Sequence, residues 1–221
     1  MRRRPHYPTP VVRRHRSAAS TAVTVLVSAL AAGACAEAPP PPPFPSQAHR
    51  EAAVRIGSVT ADAVMGTLLD HLTAALDSAG PVGAIDFCAR EALALTGGAE
   101  AGVEGVEIKR TSTRVRNPAN APDSLEALAL AYFESRLDAS TGRLPDHWLQ
   151  VDGDVALRYY RPLVANQLCV QCHGPLAAIA PAVLAKLDQR YPADQATGYL
   201  AGDFRGVIRV RVTRPALETS P

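Results

Sequence analysis

Apolar residues recur at helical spacing through Val54, Val59, Val64, Met65, Leu68, Leu69, Leu72 and Leu76, which predicts an amphipathic helix ended by Gly80-Pro81. A second helix follows at once. In it Ile85, Cys88, Ala89, Ala92 and Leu93 share one face at i, i+3, i+4, i+7 and i+8, while Asp86 and Arg90 turn away. Cys88 is therefore expected to point inward. Gly97, Gly98 and Gly105 loosen the chain before residues 106–113, whose alternation predicts a strand. Residues 117–122 (Asn-Pro-Ala-Asn-Ala-Pro) read as a rigid turn. Asp123 or Ser124 can then cap a third helix to about Leu137, with Leu125, Leu128, Leu130, Tyr132 and Phe133 as its apolar surface. Strand character returns over 155–164, a helix spans 182–190 and stops at Tyr191-Pro192, and 207–212 closes the domain as a strongly alternating strand. Helices first and strands later predict an α+β domain, an antiparallel sheet with helices at one side or end.

Charge and composition divide the chain before any of these elements begin. Residues 1–34 contain six arginines and no Asp or Glu; without them the remainder has 17 basic against 21 acidic side chains, a formal −4. That balance speaks against a nucleic-acid partner. Arg2, Arg3, Arg4, Arg13, Arg14 and Arg16 precede an apolar run over 21–32, the order of a secretory signal, and the run is short for a bilayer span. Ala32-Gly33-Ala34 before Cys35 fits a signal-peptidase site. It also resembles a degenerate lipoprotein box, in which case Cys35 becomes the lipidated first residue and tethers the chain to a membrane. Both readings put the mature chain in an oxidising compartment, the periplasm. The expected organisation is a signal segment at 1–34, a Pro-rich linker at 35–48 built on the run Pro39 to Pro43, and one domain at 49–221.

The chemistry is concentrated in Cys169-Val170-Gln171-Cys172-His173, the C-x-x-C-H form of a haem c attachment site. Two thiols three positions apart can reach the two vinyl groups of one porphyrin, and the following imidazole can meet its iron. Two other readings compete. A redox dithiol usually opens a helix in a βαβ setting, and Gly174-Pro175 interrupts any long helix here. A zinc site could recruit Cys88, Cys169 and Cys172, but a second C-x-x-C or H-x-x-x-H half is absent. Haem c is the best reading: one haem, covalently attached through Cys169 and Cys172, with His173 on the iron. From spacing alone Cys88 reads equally as a core cysteine. Met65 and His71 are rival sixth ligands, and His49 and His147 read as surface or loop residues. Lys109, Arg110, Arg114 and Arg116 could pair with carboxylates of the cofactor or form a solvated strand face. Arg209 and Arg211 read as the wet face of a half-buried strand. Trp148, Tyr159 and Tyr160 could pack on the porphyrin or in the core.

Several further stretches sharpen this picture: Ala84-Ile85-Asp86-Phe87-Cys88, Lys109 to Ser112, Arg116 to Pro122, Arg161-Pro162-Leu163, the motif 169–174, Tyr191 to Gln195, and Gly202-Asp203-Phe204-Arg205-Gly206. Together they resemble a family of small haem c domains with a PAS-like fold, found as single-domain cyanobacterial cytochromes and as sensor regions of histidine kinases. The likeness runs from about Arg50 to Val212. It implies a PAS-like antiparallel sheet with N-terminal helices, and it implies that Cys88 is the second axial ligand of the iron, opposite His173. A thiolate ligand stabilises ferric iron, so the expected role is low-potential electron transfer with a redox partner protein whose identity the sequence does not reveal. The alternative is a haem-based redox or gas sensor in which loss of Cys88 changes the domain's shape. An enzyme such as a peroxidase has the least support, and no catalytic residue is assigned.

Overall fold

A computed structural model describes residues 43–90, 104–138 and 140–220. The expected signal segment, Cys35, most of the linker and the Gly97-Gly98 pair lie outside them. The element order is α1 (Gln47–Arg90), β1 (Val106–Thr111), a 3-10 turn (Pro118–Asn120), α2 (Ser124–Arg136), β2 (Trp148–Asp152) and β3 (Ala156–Val164). There follow α3 (Gln167–His173), a second 3-10 turn (Leu176–Ala178), α4 (Pro181–Arg190), β4 (Phe204–Thr213) and α5 (Arg214–Thr219). The strands form one sheet in the order β1-β4-β3-β2, every pair antiparallel. The α+β class read from the sequence is the observed one.

The break at Gly80 is where α1 ceases to be one helix. Gly80 has φ 66° and ψ −178°, a backbone region essentially reserved for glycine. On a straight helix His71 and Phe87 would stand roughly 24 Å apart. Their rings stack instead at 6.0 Å between centroids and 11° between planes, so residues 81–90 fold back along the end of the long helix. The fold-back segment packs Ile85 against Ile179, Val183 and Leu187 of the α4 region, and Asp86 pairs with Lys186 at 2.9 Å and with Arg190.

Period-two alternation along the strands sends residues to two different cores. Leu157, Tyr159, Ile208, Val210 and Val212 pack with Ala52, Ala53, Ala61, Val64 and Leu68 of α1 on one face. On the other, Tyr160 and Val207 pack with Ala129, Leu130 and Phe133 of α2. Gly57 lets α1 lie close against the sheet: a Cβ there would fall 2.2 Å from the Tyr159 ring. Helices thus cover both faces of the sheet, where one side or end was expected. The reason lies in the odd-numbered arginines of β4. Arg209 is buried, and its Nε is 3.0 Å from Oε1 of the fully buried Glu126 on α2, whose Oε2 takes Lys109 Nζ at 2.7 Å. The strand face that read as wet is an ion-paired interface beneath a helix.

Other expectations are corrected in the same way. Leu128, placed on the apolar surface of α2, is exposed, and the buried stripe is Glu126, Ala129, Leu130 and Phe133. His49 is buried, its ring tilted 45° to that of Phe44, with Nδ1 accepting from Ser46 N at 3.1 Å. Of the two readings of the aromatics, core packing is the observed one: Trp148 stacks on Tyr132 at 4.8 Å, and Tyr159 and Tyr160 belong to the two cores.

Candidate functional site

Stretches of chain far apart in sequence wall one cavity of about 470 Å³, within the usual range for small-molecule sites. Its apolar side is Met65, Leu68, Leu69, Leu72 and Leu76 of α1 together with Ala84, Ile85, Phe87 and Cys88 of the fold-back segment. Leu168, Cys169, Gln171, Cys172 and His173 of α3 line it as well. The fold therefore brings together all four residues singled out by sequence, Cys88, Cys169, Cys172 and His173. Met65 lines the cavity too; His71 stacks on Phe87 outside its lining.

The motif sits on a short helix whose start and stop are both written locally. Asn166 caps α3, its Oδ1 accepting from Leu168 N at 2.9 Å and Cys169 N at 3.1 Å. The same oxygen accepts from the Cys169 thiol at 3.2 Å. Gly174 ends the helix after two turns, its N–H reaching Val170 O at 2.9 Å, so the pair lies on a helix but not on the long one a thioredoxin-like dithiol would use. Cys88, Cys169 and Cys172 are all free thiols. Burial pushes the Cys88 and Cys172 thiols up, opposed at Cys88 by Arg110 and Arg116 and at Cys172 by Arg116.

His173 presents a neutral imidazole. Burial first, then the nearby Arg116 and Arg205 guanidiniums, push its pKa down to about 3. Its Nδ1 lies 2.6 Å from the carbonyl oxygen of Ala196. A carbonyl can only accept, so Nδ1 carries the proton and Nε2 keeps the lone pair a metal needs. Among the described residues no three His, Cys, Asp or Glu side chains converge as a metal-binding group. Such convergence is what the zinc reading required; a haem iron, already held by its macrocycle, would ask the protein for no more than one or two side chains.

Charge completes the lining. Arg110, Arg114, Arg116, Arg161 and Arg205 border the cavity, and among the described residues no Asp or Glu does. Burial lowers the pKa of both Arg110 and Arg205. Of the cluster read from sequence, Lys109 leaves for Glu126 on the far face of the sheet, because adjacent strand residues alternate. An apolar slot with two thiols, a neutral imidazole, a third cysteine and a cationic border without acids fits the haem c expected from the motif: a wide apolar body, two vinyl groups, a metal, and carboxylates at one edge.

Arg205 is a lining residue that motif and periodicity reasoning missed. Pairing between β3 and β4 passes from Leu163↔Gly206 to Val164↔Phe204, leaving Arg205 as the extra residue of a bulge, with Gly206 at φ 150°. The bulge re-aims Arg205 toward the face occupied by α1, against the parity that period-two reading assigns. Only the glycine after it hinted at the irregularity.

The chain is similar to the crystal structure of the cyanobacterial haem protein Tll0287, with 23% identity, a TM-score of 0.45, and coverage of 55% of this chain and 71% of that one. No curated protein matches it. The family model described as Tll0287-like matches residues 44–213, most of the sequence and every wall of the cavity, and the chain accordingly belongs to the Tll0287-like family.

Proposed function

We propose that this protein is a periplasmic monohaem c-type cytochrome that carries electrons at low potential. The observation that supports it best is the meeting, in one arginine-bordered cavity, of the C-x-x-C-H helix with a cysteine 81 positions before its first thiol. In this reading Cys169 and Cys172 would form the thioether links, His173 Nε2 and the Cys88 thiolate would hold the iron, and one or more lining arginines would pair with the propionates. Haem supplies a one-electron iron couple, and a thiolate ligand favours its ferric side. The chain's part is to hold the imidazole neutral and directed, to keep water off with the leucines of α1, and to offset through Arg110 and Arg116 part of the cost that burial sets on a Cys88 thiolate. Occupation of both axial positions by protein leaves none open, which favours a carrier over oxygen or peroxide chemistry.

The test begins with mass. Expressed where c-type cytochromes mature, the protein should weigh more than its amino acids and any lipid by one haem; a colourless product of peptide mass defeats the proposal. Electron paramagnetic resonance of the ferric protein should show a low-spin thiolate signature that Cys88→Ala abolishes and His71→Ala preserves, and the opposite pattern would move the ligand to His71. Exposure of the ferrous protein to carbon monoxide then separates roles: an unchanged Soret band supports the carrier, whereas ready binding supports a sensor in which Cys88 gives way.

A further inference from the structure

The fold holds the Ala196 peptide from every side. Its N–H donates to Asp194 Oδ1 at 2.7 Å, and its carbonyl faces His173 Nδ1 at 2.6 Å and Arg116 Nη2 at 3.4 Å. Arg116 Nε donates to Asp194 Oδ2 at 2.9 Å, closing the ring, and Nη2 also donates to the carbonyl of Cys172 at 2.6 Å. Both partners of the ion pair are largely shielded, with 13% and 10% of their side chains exposed, and neither charge is spent on the surface, where such a pair would contribute little. The loop is further pinned by Gln195 N to Val115 O at 3.0 Å, Gly198 N to Gly174 O at 2.8 Å and Tyr199 N to His173 O at 2.9 Å.

We propose that Arg116 and Asp194 are positioning residues for His173: they form a clamp that fixes the Ala196 carbonyl, and through it the plane and tautomer of the imidazole. The inference rests on the haem reading above, since its purpose is to present Nε2 to the iron. The physical logic is that of an outer-shell partner, which orients a metal-bound histidine through its other nitrogen and sets its basicity. A planar guanidinium is required rather than a charge, because one side chain must reach the Asp194 carboxylate and two backbone carbonyls at once, and a lysine ammonium at the end of a flexible stem cannot span them in that geometry. Arg116 also donates into the same carbonyl that His173 uses. That competition moderates the pull on the Nδ1 proton and limits the imidazolate character of the ligand.

The experiment compares haem-loaded wild type with Arg116→Lys, Arg116→Gln, Asp194→Asn and, as a control, Arg214→Lys, an arginine outside the cavity lining whose carboxylate partner is Glu218. Circular dichroism confirms that each is folded. The clamp predicts altered low-spin g values and roughly 10-fold easier displacement of His173 by added imidazole in Arg116→Lys and Asp194→Asn alike, as expected for loss of an outer-shell partner. Arg214→Lys should match wild type. If Arg116→Lys keeps wild-type g values and displacement while Arg116→Gln does not, only the charge matters and the clamp is refuted. A haem-loaded wild type with every variant unchanged refutes the clamp alone, whereas a wild type without covalent haem removes both the haem reading and the clamp.

Discussion

Gly80 shows how one residue can decide where a ligand goes. At φ 66° and ψ −178° it turns the chain so that Cys88 returns to the level of Leu72 and Leu76 and faces the cavity they line. No atom lies within 4 Å of where a Cβ would be, so any penalty there comes from backbone torsion and not from crowding. Gly80→Ala should lower unfolding stability by about 1–3 kcal/mol, measured by denaturant titration. In the haem-loaded protein it should also broaden or lose the Cys88-dependent low-spin signal. Wild-type stability and spectrum in this variant would mean that Pro81 and the α4 contacts suffice to set the turn. The turn itself was readable from Gly80-Pro81, and the inward face of Cys88 from its spacing. That Cys88 faces the C-x-x-C-H helix across a cavity was not, because local periodicity carries no distance between elements.

At the scale of elements, boundaries legible in the sequence are those written in capping chemistry. Asp123 caps α2 with a full capping box, Oδ1 accepting from Glu126 N at 2.7 Å while Glu126 Oε2 accepts from Asp123 N at 2.9 Å. Asp123→Ala should cost about 1 kcal/mol, with little added by the loss of its partly exposed ion pair to Arg158; an unchanged melting midpoint would show that Glu126, held by Lys109 and Arg209, anchors α2 without its cap. β2 escaped sequence reading because Trp148–Asp152 is a short edge strand with weak alternation. It is held by pairing with β3, Trp148 opposite Tyr160 and Leu149 opposite Tyr159, a long-range term that no five-residue window contains. The β4 bulge at Arg205 is of the same kind: it exists only in the register with β3.

For the whole molecule, the sheet between two helical layers makes alkaline stability a test of the core on the α2 side. Tyr160 is fully buried and donates to Gln150 Oε1 at 2.9 Å. Burial is the main cause that pushes its pKa up to about 12, with Arg158 opposing. A raised folded-state pKa stabilises the fold fully below the unfolded value near 10 and loses that contribution as pH rises through 12. Unfolding free energy should therefore fall between roughly pH 10 and 12, and Tyr160→Phe should flatten that fall while costing some stability at neutral pH. An equal slope in both proteins would assign the alkaline transition to other groups. What this chain's sequence determined unaided is whatever is encoded within a few neighbours: helix faces, caps, turns, strand alternation and a five-residue attachment motif. Tertiary structure alone decided that helices cover both faces of the sheet, that Arg209 is buried on Glu126 while Arg205 turns to the cavity, and that Ala196 meets His173. Each of those follows from strand register and chain reversal, which balance contacts between residues tens of positions apart and so leave no local pattern to read.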